Sequence, residues 1–266
     1  MSAPSSPNDR LCQYVDTCSN ANKTLPSTHI TNAYNFPEIL SSSMLEPKEC
    51  KVFGEDLSYF FYGRPAYRTR KTDSVALGHN LPIVFIVDTE KLRPLKRIFP
   101  FDSGAFDKGF YNGYFDSRCK IENFELPANL EVIKKLVDAF YGDNRDYLLG
   151  NHRDIKTVGP YDFEVEGLTR LIQDTHTSKE GALNSDERST SFEIQITQSL
   201  KLEEILLCVL LPQVLLDDTA TFDAIKAWKP PEIIPYHTLR NSSSEHLAGT
   251  IYTKVIDYYN TQGWLS

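Results

Sequence analysis

The sequence predicts an α+β fold organised around a mixed, largely antiparallel sheet. Apolar runs typical of strands alternate with stretches of helical periodicity, but without the regular strand–helix–strand spacing of a parallel sheet. Several of these runs also lie close together in the chain, as antiparallel neighbours do. Hydrophobic residues make up 41% and charged residues 24% of the 266 positions, which is ordinary for a globular protein. No break in composition separates two domains, so we predict one domain, residues 25–266, preceded by a loosely held arm, residues 1–24.

Six segments carry the residue pattern of strands. The aromatic run LSYFFY is stopped by Gly63 and Pro65. LPIVFIV is almost wholly apolar, which is typical of a strand covered on both faces, whereas SFEIQIT alternates apolar and polar residues with a period of two. The predicted strands are residues 27–30, 57–62, 81–87, 191–197, 205–211 and 233–236.

Four helices are predicted from periodicity and end signals. Three residues are suitable N-caps for the first helix, Thr31, Asn32 and Asn35. Pro37 suits its first turn, where the missing N–H has no intrahelical bond to make. Gly142 is a typical helix stop. The predicted helices are residues 36–45, 129–141, 164–174 and 245–259.

Charge, hydropathy and cysteine content exclude several classes of protein. Lys and Arg number 28 against 36 Asp and Glu, and the net charge of −8 argues against an extended nucleic-acid-binding face. The longest apolar run, ILLCVLL, is far shorter than the ~20 residues that span a bilayer, and no basic region followed by an apolar stretch begins the chain. Five scattered cysteines without a CxxC pair encode neither a disulfide framework nor a zinc site. We therefore expect a cytoplasmic protein without a membrane partner.

Standard catalytic motifs are missing from the sequence. It contains no GxSxG, HExxH, Walker A or GxGxxG motif. The six histidines never lie two to a helical turn, so no metal site is predicted. Two basic clusters, at residues 64–71 and 91–97, indicate either solvated loop charge or a local grip on a small anionic ligand or a nucleic-acid end.

The first of three unusual segments is THITN at residues 28–32, which ends a strand just before a helix. It can present the imidazole of His29 and the hydroxyl of Thr31 to a cleft. In the structural alternative, His29 is a half-buried strand residue and Thr31 or Asn32 is only a helix cap.

The second segment, YFFYGRPAYR at residues 59–68, alternates aromatic rings along a strand and then turns at Gly-Arg-Pro. The turn sets the direction of Arg64. Aromatic rings beside a guanidinium suit a ligand that carries both a flat ring and a phosphate. Core aromatics with an arginine paired to a carboxylate are the alternative.

The third segment, RSTSFEIQI, places Glu193 and Gln195 on one face of a strand. A carboxylate there can bond a sugar hydroxyl and stabilise a developing positive charge. A solvent-facing glutamate is the alternative. Residues 99–106 are predicted as a loop whose Asp102 and Gly104 shape a rim.

Taken in this order, the three segments resemble the ADP-ribosyltransferase superfamily, and within it DarT-like enzymes. Those enzymes have an initial strand and helix with His-Ile-Thr, to which residues 28–32 are similar. An aromatic strand then leads into an Arg-containing turn, similar to residues 59–67, and a late strand bears the catalytic glutamate, where Glu193 is the match. The resemblance implies a single-domain ADP-ribosyltransferase-like fold. A lone glutamate, in place of the Glu-x-Glu of arginine-modifying relatives, argues against an arginine acceptor.

The resemblance implies an NAD-dependent enzyme that cleaves the nicotinamide–ribose bond and transfers ADP-ribose to a nucleic acid or protein. Glu193 and Arg64 would be its catalytic residues: the carboxylate stabilises the positive charge on the ribose, and the guanidinium holds the pyrophosphate. Tyr62 would stack on nicotinamide and His29 would bond a ribose hydroxyl. The implied NAD-binding residues are His29, Thr31, Asn32, Tyr59, Tyr62 and Tyr67.

Two alternatives stay open beside the transferase. The same pocket could hydrolyse NAD with water as the acceptor, as an NAD glycohydrolase does. A degenerate pocket could instead be a non-catalytic nucleotide-binding module. A transferase of this kind would act as a toxin or defence effector, and its partners would be NAD as substrate, the acceptor and, in some systems, a cognate inhibitor.

Overall fold

A computed structural model describes residues 7–19, 21–66, 78–154, 158–174, 187–238 and 243–265. Over these residues the protein is α+β with a mixed, mostly antiparallel central sheet, which confirms the predicted class. The strands are β1 (Ser27–Asn32), β2 (Met44–Leu45), β3 (Lys48–Cys50), β4 (Glu55–Tyr62), β5 (Pro82–Val87), β6 (Arg97–Phe99), β7 (Glu193–Ile196), β8 (Leu200–Lys201), β9 (Leu206–Pro212) and β10 (Glu232–Tyr236). The α-helices are α1 (Pro7–Asp16), α2 (Phe36–Ser42), α3 (Ser103–Asp107), α4 (Leu130–Phe140), α5 (Asn144–Leu149), α6 (Phe163–Asp174), α7 (Leu202–Ile205), α8 (Gln213–Leu216), α9 (Thr219–Ala227) and α10 (Ser244–Thr261).

Two compact units make up the described chain. The sheet unit comprises Leu25–Pro94 and Ile196–Trp264, and the helical unit comprises the residues up to Thr24 together with Leu95–Gln195. Strands of the sheet unit follow the order β10-β9-β5-β1-β4, with β3 beside β4. Every pairing in this series is antiparallel except that of β10 with β9.

Strand β5 lies at the centre of the sheet unit, between β1 and β9. Its Phe85 is opposite His29 of β1 and Val209 of β9. All six residues of β5 are buried, as the sequence predicts for a strand covered on both faces. The ring of Trp228, which follows α9, lies 6.1 Å from that of Phe85. The apolar run thus forms the core against which β1 is held.

The first predicted helix is shorter than its sequence pattern indicates. Helix α2 ends at Ser42 because Ser43 adopts a left-handed conformation, with φ at 56°, and donates its N–H to the Ile39 carbonyl. The next two residues form β2, which pairs antiparallel with β8. Three consecutive serines favour this stop, since serine side chains compete with the helix for backbone hydrogen bonds.

The N-terminal residues belong to the helical unit and do not form the loosely held arm that the sequence predicts. Helix α1 packs against α4, α6 and the turn Ile121–Phe124, and its Leu11 and Val15 are buried. These two residues are four apart and so lie on one face of a helix. Lys135 of α4 also binds the carboxylate of Asp16 at 2.7 Å. Leu11, Tyr14 and Val15 form the one apolar cluster of this segment, and its otherwise polar composition led to the prediction of an arm.

Helix α6 approaches its neighbours closely at Gly167. A Cβ added there would lie 2.5 Å from a ring carbon of Phe115 and 2.6 Å from the carbonyl oxygen of Tyr114. We expect Gly167→Ala to lower the free energy of unfolding by about 1–3 kcal/mol, because the carbonyl is backbone and cannot swing aside. Urea-induced unfolding measures the change.

Gly249→Ala is the matched control for this prediction. Gly249 is also helical, in α10, but beyond the backbone of its own helix no atom of the described residues lies within 4 Å of its added Cβ. Replacing an exposed helical glycine by alanine is expected to raise the free energy of unfolding by up to about 1 kcal/mol. Two variants with the same stability would contradict the close approach at Gly167.

Candidate active site

The predicted catalytic residue, Glu193, is the first residue of β7 and belongs to the helical unit. β7 pairs antiparallel with β6, so that Gln195 lies opposite Arg97. Residues two apart on a strand point to the same face, and Glu193 and Gln195 do so as predicted. The polar face is nevertheless buried, with Glu193 1% and Gln195 0% exposed. The alternative of a solvent-facing glutamate is therefore wrong.

Three hydrogen-bond donors hold the Glu193 carboxylate. The Ser103 N–H donates to Oε2 at 3.0 Å, and the Ser103 hydroxyl donates to Oε1 at 2.7 Å. The side-chain amide of Gln195 donates to the same Oε1 at 2.7 Å. Because both carboxylate oxygens are bonded, the orientation of the group is set before any ligand arrives.

Ser103 is positioned by a helix cap and an aromatic cluster. The Asp102 carboxylate caps α3 by accepting from the Ala105 N–H at 2.9 Å. The preceding residue, Phe101, is buried among four other rings at centroid distances of 5.0–5.7 Å, those of Phe106, Tyr111, Phe115 and Phe124. The segment predicted as a loop is thus the anchored start of a helix, and Asp102 supports the carboxylate site instead of shaping a rim.

Arg97 extends the hydrogen-bond network outward from the carboxylate. Its Nη1 donates to Oε1 of Gln195 at 3.3 Å, and its Nε lies 3.7 Å from a carboxylate oxygen of Glu125. Nε2 of Gln195 also lies 3.3 Å from the Ser103 hydroxyl oxygen. One continuous chain of hydrogen bonds therefore links a guanidinium to the Glu193 carboxylate.

The pKa of Glu193 is raised to about 8, chiefly by burial, because removal from water disfavours the charged carboxylate. The nearby Asp102 carboxylate contributes to this rise, whereas the hydrogen bonds from Ser103 and Gln195 oppose it. A carboxyl group that changes charge near neutral pH is suited to accepting and returning a proton. Once ionised, it is also a fixed negative charge in a buried site.

A second candidate region is a cleft in the sheet unit with a volume of about 220 Å³. Residues of β1, α2, β2, β3 and β4 line it. Three of the predicted NAD-binding residues meet here, namely His29, Thr31 and Tyr59. The structure thus brings together residues that lie about thirty positions apart in the chain.

His29 presents a neutral ring at this cleft. Its Nδ1 lies 2.9 Å from the carbonyl oxygen of Tyr59, and since a carbonyl only accepts, Nδ1 carries the proton. Burial lowers the pKa of His29, although the bond to Tyr59 opposes the shift. The ring is therefore uncharged at pH 7, and Nε2 keeps a lone pair that can accept a hydrogen bond from a ligand hydroxyl.

Ser58 lines the same cleft but is not among the site residues predicted from the sequence. Its side chain is 3% exposed, and its hydroxyl oxygen has no hydrogen-bond partner within the described ranges. A buried hydroxyl without a hydrogen-bond partner is unfavourable. A polar group of a ligand bound in the cleft would supply that partner. No local signal distinguishes this serine from other polar residues of a strand.

The remaining predicted site residues are placed differently. Tyr62 is fully buried, and its hydroxyl accepts from the Leu25 N–H at 2.8 Å, so protein encloses the ring that was predicted to stack on nicotinamide. Arg64 is 1% exposed. Asn32 is exposed at the end of β1. Tyr67 lies outside the described residues.

The residues of the two basic clusters that the structure describes make contacts within the chain. Arg64 is buried, and the other basic residues of its cluster lie outside the described ranges. In the second cluster, Lys91 lies 3.9 Å from a carboxylate oxygen of Asp88. Arg93 donates to the carbonyl of Glu90 at 3.0 Å. These contacts favour the interpretation of Lys91 and Arg93 as local loop charge, whereas Arg97 of the same cluster lies in β6 and bonds to Gln195.

Comparisons with protein-family models, curated proteins and solved structures found no match for this chain. Across residues 7–265, excluding the gaps given above, no three His, Cys, Asp or Glu side chains are grouped as a metal site requires. None of the helices in the same ranges is both long and apolar enough to cross a bilayer. The site is therefore interpreted from its own chemistry.

Proposed function

We propose that the protein is an NAD-dependent ADP-ribosyltransferase with the corresponding fold, which transfers ADP-ribose from NAD to a nucleic acid or protein. The Glu193 carboxylate carries this proposal, because it is buried, bonded at both oxygens and raised in pKa to about 8. The order of the His29, Arg64 and Glu193 segments supports the same reaction. A separate cleft in the sheet unit gathers His29, Thr31 and Tyr59, and it supports the binding of part of NAD, although neither Glu193 nor Arg64 is among the residues that line it.

The proposed reaction needs a carboxylate because breaking the nicotinamide–ribose bond leaves positive charge on the ribose. In its ionised form Glu193 stabilises that charge, and the burial of the carboxylate strengthens the effect. The C–N bond electrons leave with nicotinamide, and the acceptor forms its new bond to the same ribose carbon. The acceptor's proton passes to the Glu193 carboxylate and then to solvent.

The sheet-unit cleft suits one end of a dinucleotide. Its volume of about 220 Å³ is smaller than pockets that enclose a whole drug-sized ligand. Three glutamates and one lysine line it, namely Glu38, Glu46, Glu49 and Lys48. This acidic lining favours the cationic nicotinamide ring over the pyrophosphate. His29 Nε2 can then accept a hydrogen bond from a hydroxyl group of the part of the ligand that this cleft holds.

The proposal is tested by incubating the pure protein with NAD, with and without total cell nucleic acid or protein, and measuring products by mass spectrometry. We expect free nicotinamide and an added ADP-ribose on one of the two macromolecular fractions. Nicotinamide release without a labelled macromolecule would identify an NAD glycohydrolase. Binding of NAD in calorimetry without turnover would identify a nucleotide-binding module, and absence of both binding and turnover would contradict the proposal.

A further inference from the structure

The side-chain amide of Gln195 has two orientations of nearly the same shape. In the structure its Nε2 donates to Glu193, and its Oε1 accepts from Arg97. The opposite orientation would place oxygen against the carboxylate and N–H groups against the guanidinium, and both contacts are repulsive. An arginine guanidinium keeps its proton at every ordinary pH. Arg97 therefore selects the orientation in which Gln195 is a donor, whatever the charge on Glu193.

The two oxygens of the Glu193 carboxylate are not equivalent. Oε1 accepts from the Ser103 hydroxyl and from Gln195, which together use both of its lone pairs. Within the part of the chain that the structure describes, Oε2 accepts from the Ser103 N–H and keeps one lone pair. A proton can enter and leave at Oε2 without breaking any bond of the network.

We propose that Arg97 is a positioning residue: through Gln195 it holds Oε1 of Glu193 and makes Oε2 the oxygen that exchanges the proton. This inference rests on the proposed transferase function. Two other charged groups face this region, Asp102 at the start of α3 and Glu125 beside Arg97. Neither can replace the guanidinium, since carboxylates donate no hydrogen bond to the amide oxygen.

A double-mutant cycle tests the proposal. Arg97→Met removes the guanidinium but keeps an unbranched side chain, and Gln195→Leu removes the amide at similar volume. Each single variant is expected to lower kcat by about 10- to 100-fold and to leave KM little changed. The loss in kcat corresponds to the free energy of a hydrogen bond to a charged group. Because Arg97 acts through Gln195, the double variant is expected to be no slower than Gln195→Leu.

Arg170→Met is the matched control, since Arg170 is an exposed arginine of α6 paired with Glu166. It is expected to keep the wild-type kcat. A wild-type rate in Arg97→Met, or losses that multiply in the double variant, would overturn the proposal.

A second readout needs no turnover. The hydrogen bond from Gln195 lowers the pKa of Glu193, so losing its orientation raises that pKa. The midpoint of Glu193 titration, read from the free energy of unfolding against pH, is expected to move upward in Arg97→Met but not in Arg170→Met. A purely structural role of Arg97 would lower stability at every pH and leave the midpoint in place. If the wild-type protein releases no nicotinamide, the proposed function fails, and the midpoint still decides whether Arg97 positions Glu193.

Discussion

Glu193→Gln is expected to slow nicotinamide release from NAD by about 10²–10³-fold or more. Glutamine has the same shape, and its one amide oxygen can still accept one of the two hydrogen bonds that Ser103 donates to the oxygens of Glu193. It carries no negative charge, however, so it neither stabilises positive charge on the ribose nor takes the acceptor's proton. The measurement is the rate at saturating NAD, with circular dichroism to verify the fold.

Glu164→Gln is the control for removing a buried carboxylate. Glu164 is 3% exposed in α6 of the same unit, and it pairs with Arg10 at 3.3 Å. Its variant is expected to retain the wild-type rate per folded molecule. Full activity in Glu193→Gln would remove the main support for the transferase.

The wild-type protein is expected to lose several kcal/mol of unfolding free energy between about pH 4.5 and pH 8 through Glu193 alone. Burial and Asp102 raise the pKa of Glu193 from 4.5 to about 8 in the folded protein. Between these values the folded state keeps a proton that the unfolded state has released. Stability therefore falls as the pH rises, by about 1.4 kcal/mol per pH unit. Above about pH 8 both states are ionised, and this loss is complete.

Comparison with Glu193→Gln isolates this contribution. The variant does not titrate at position 193, so its stability relative to the wild type is expected to grow from pH 5 to pH 8 and then to level off. Urea unfolding at half-unit pH intervals gives both profiles. A stability difference that does not change with pH would contradict the raised pKa.

Elements with strong local patterns are predicted well from the sequence. β5, β9 and α4 follow apolar runs or a helical stripe, and their bounds differ from the prediction by at most one residue at either end. The patterns that predict these elements involve residues that lie within one or two helical turns, or one or two strand positions, of one another. Gly142 stops α4 as predicted, in a left-handed conformation with φ at 93°.

Short strands that depend on pairing with a distant part of the chain are not predicted from the sequence. β2 has two residues and exists through its pairing with β8, far along the chain. β6 likewise depends on β7. α1 is missed for a different reason, because two buried residues in a polar segment are too few to stand out. Propensity over a few positions carries no information about such partners.

The sequence by itself determined the α+β class, most of the longer elements and the shared strand face of Glu193 and Gln195, because these follow from periodicity between near neighbours. Only the tertiary structure decided that this face is buried, that Ser103 reaches Glu193 across 90 positions of chain, and that Arg97 orients Gln195. Desolvation and hydrogen bonding depend on what surrounds a group in space. The chemistry of the carboxylate therefore depends on Ser103 and Arg97 as well as on Gln195 of its own strand, and the sequence of that strand could not reveal those two residues.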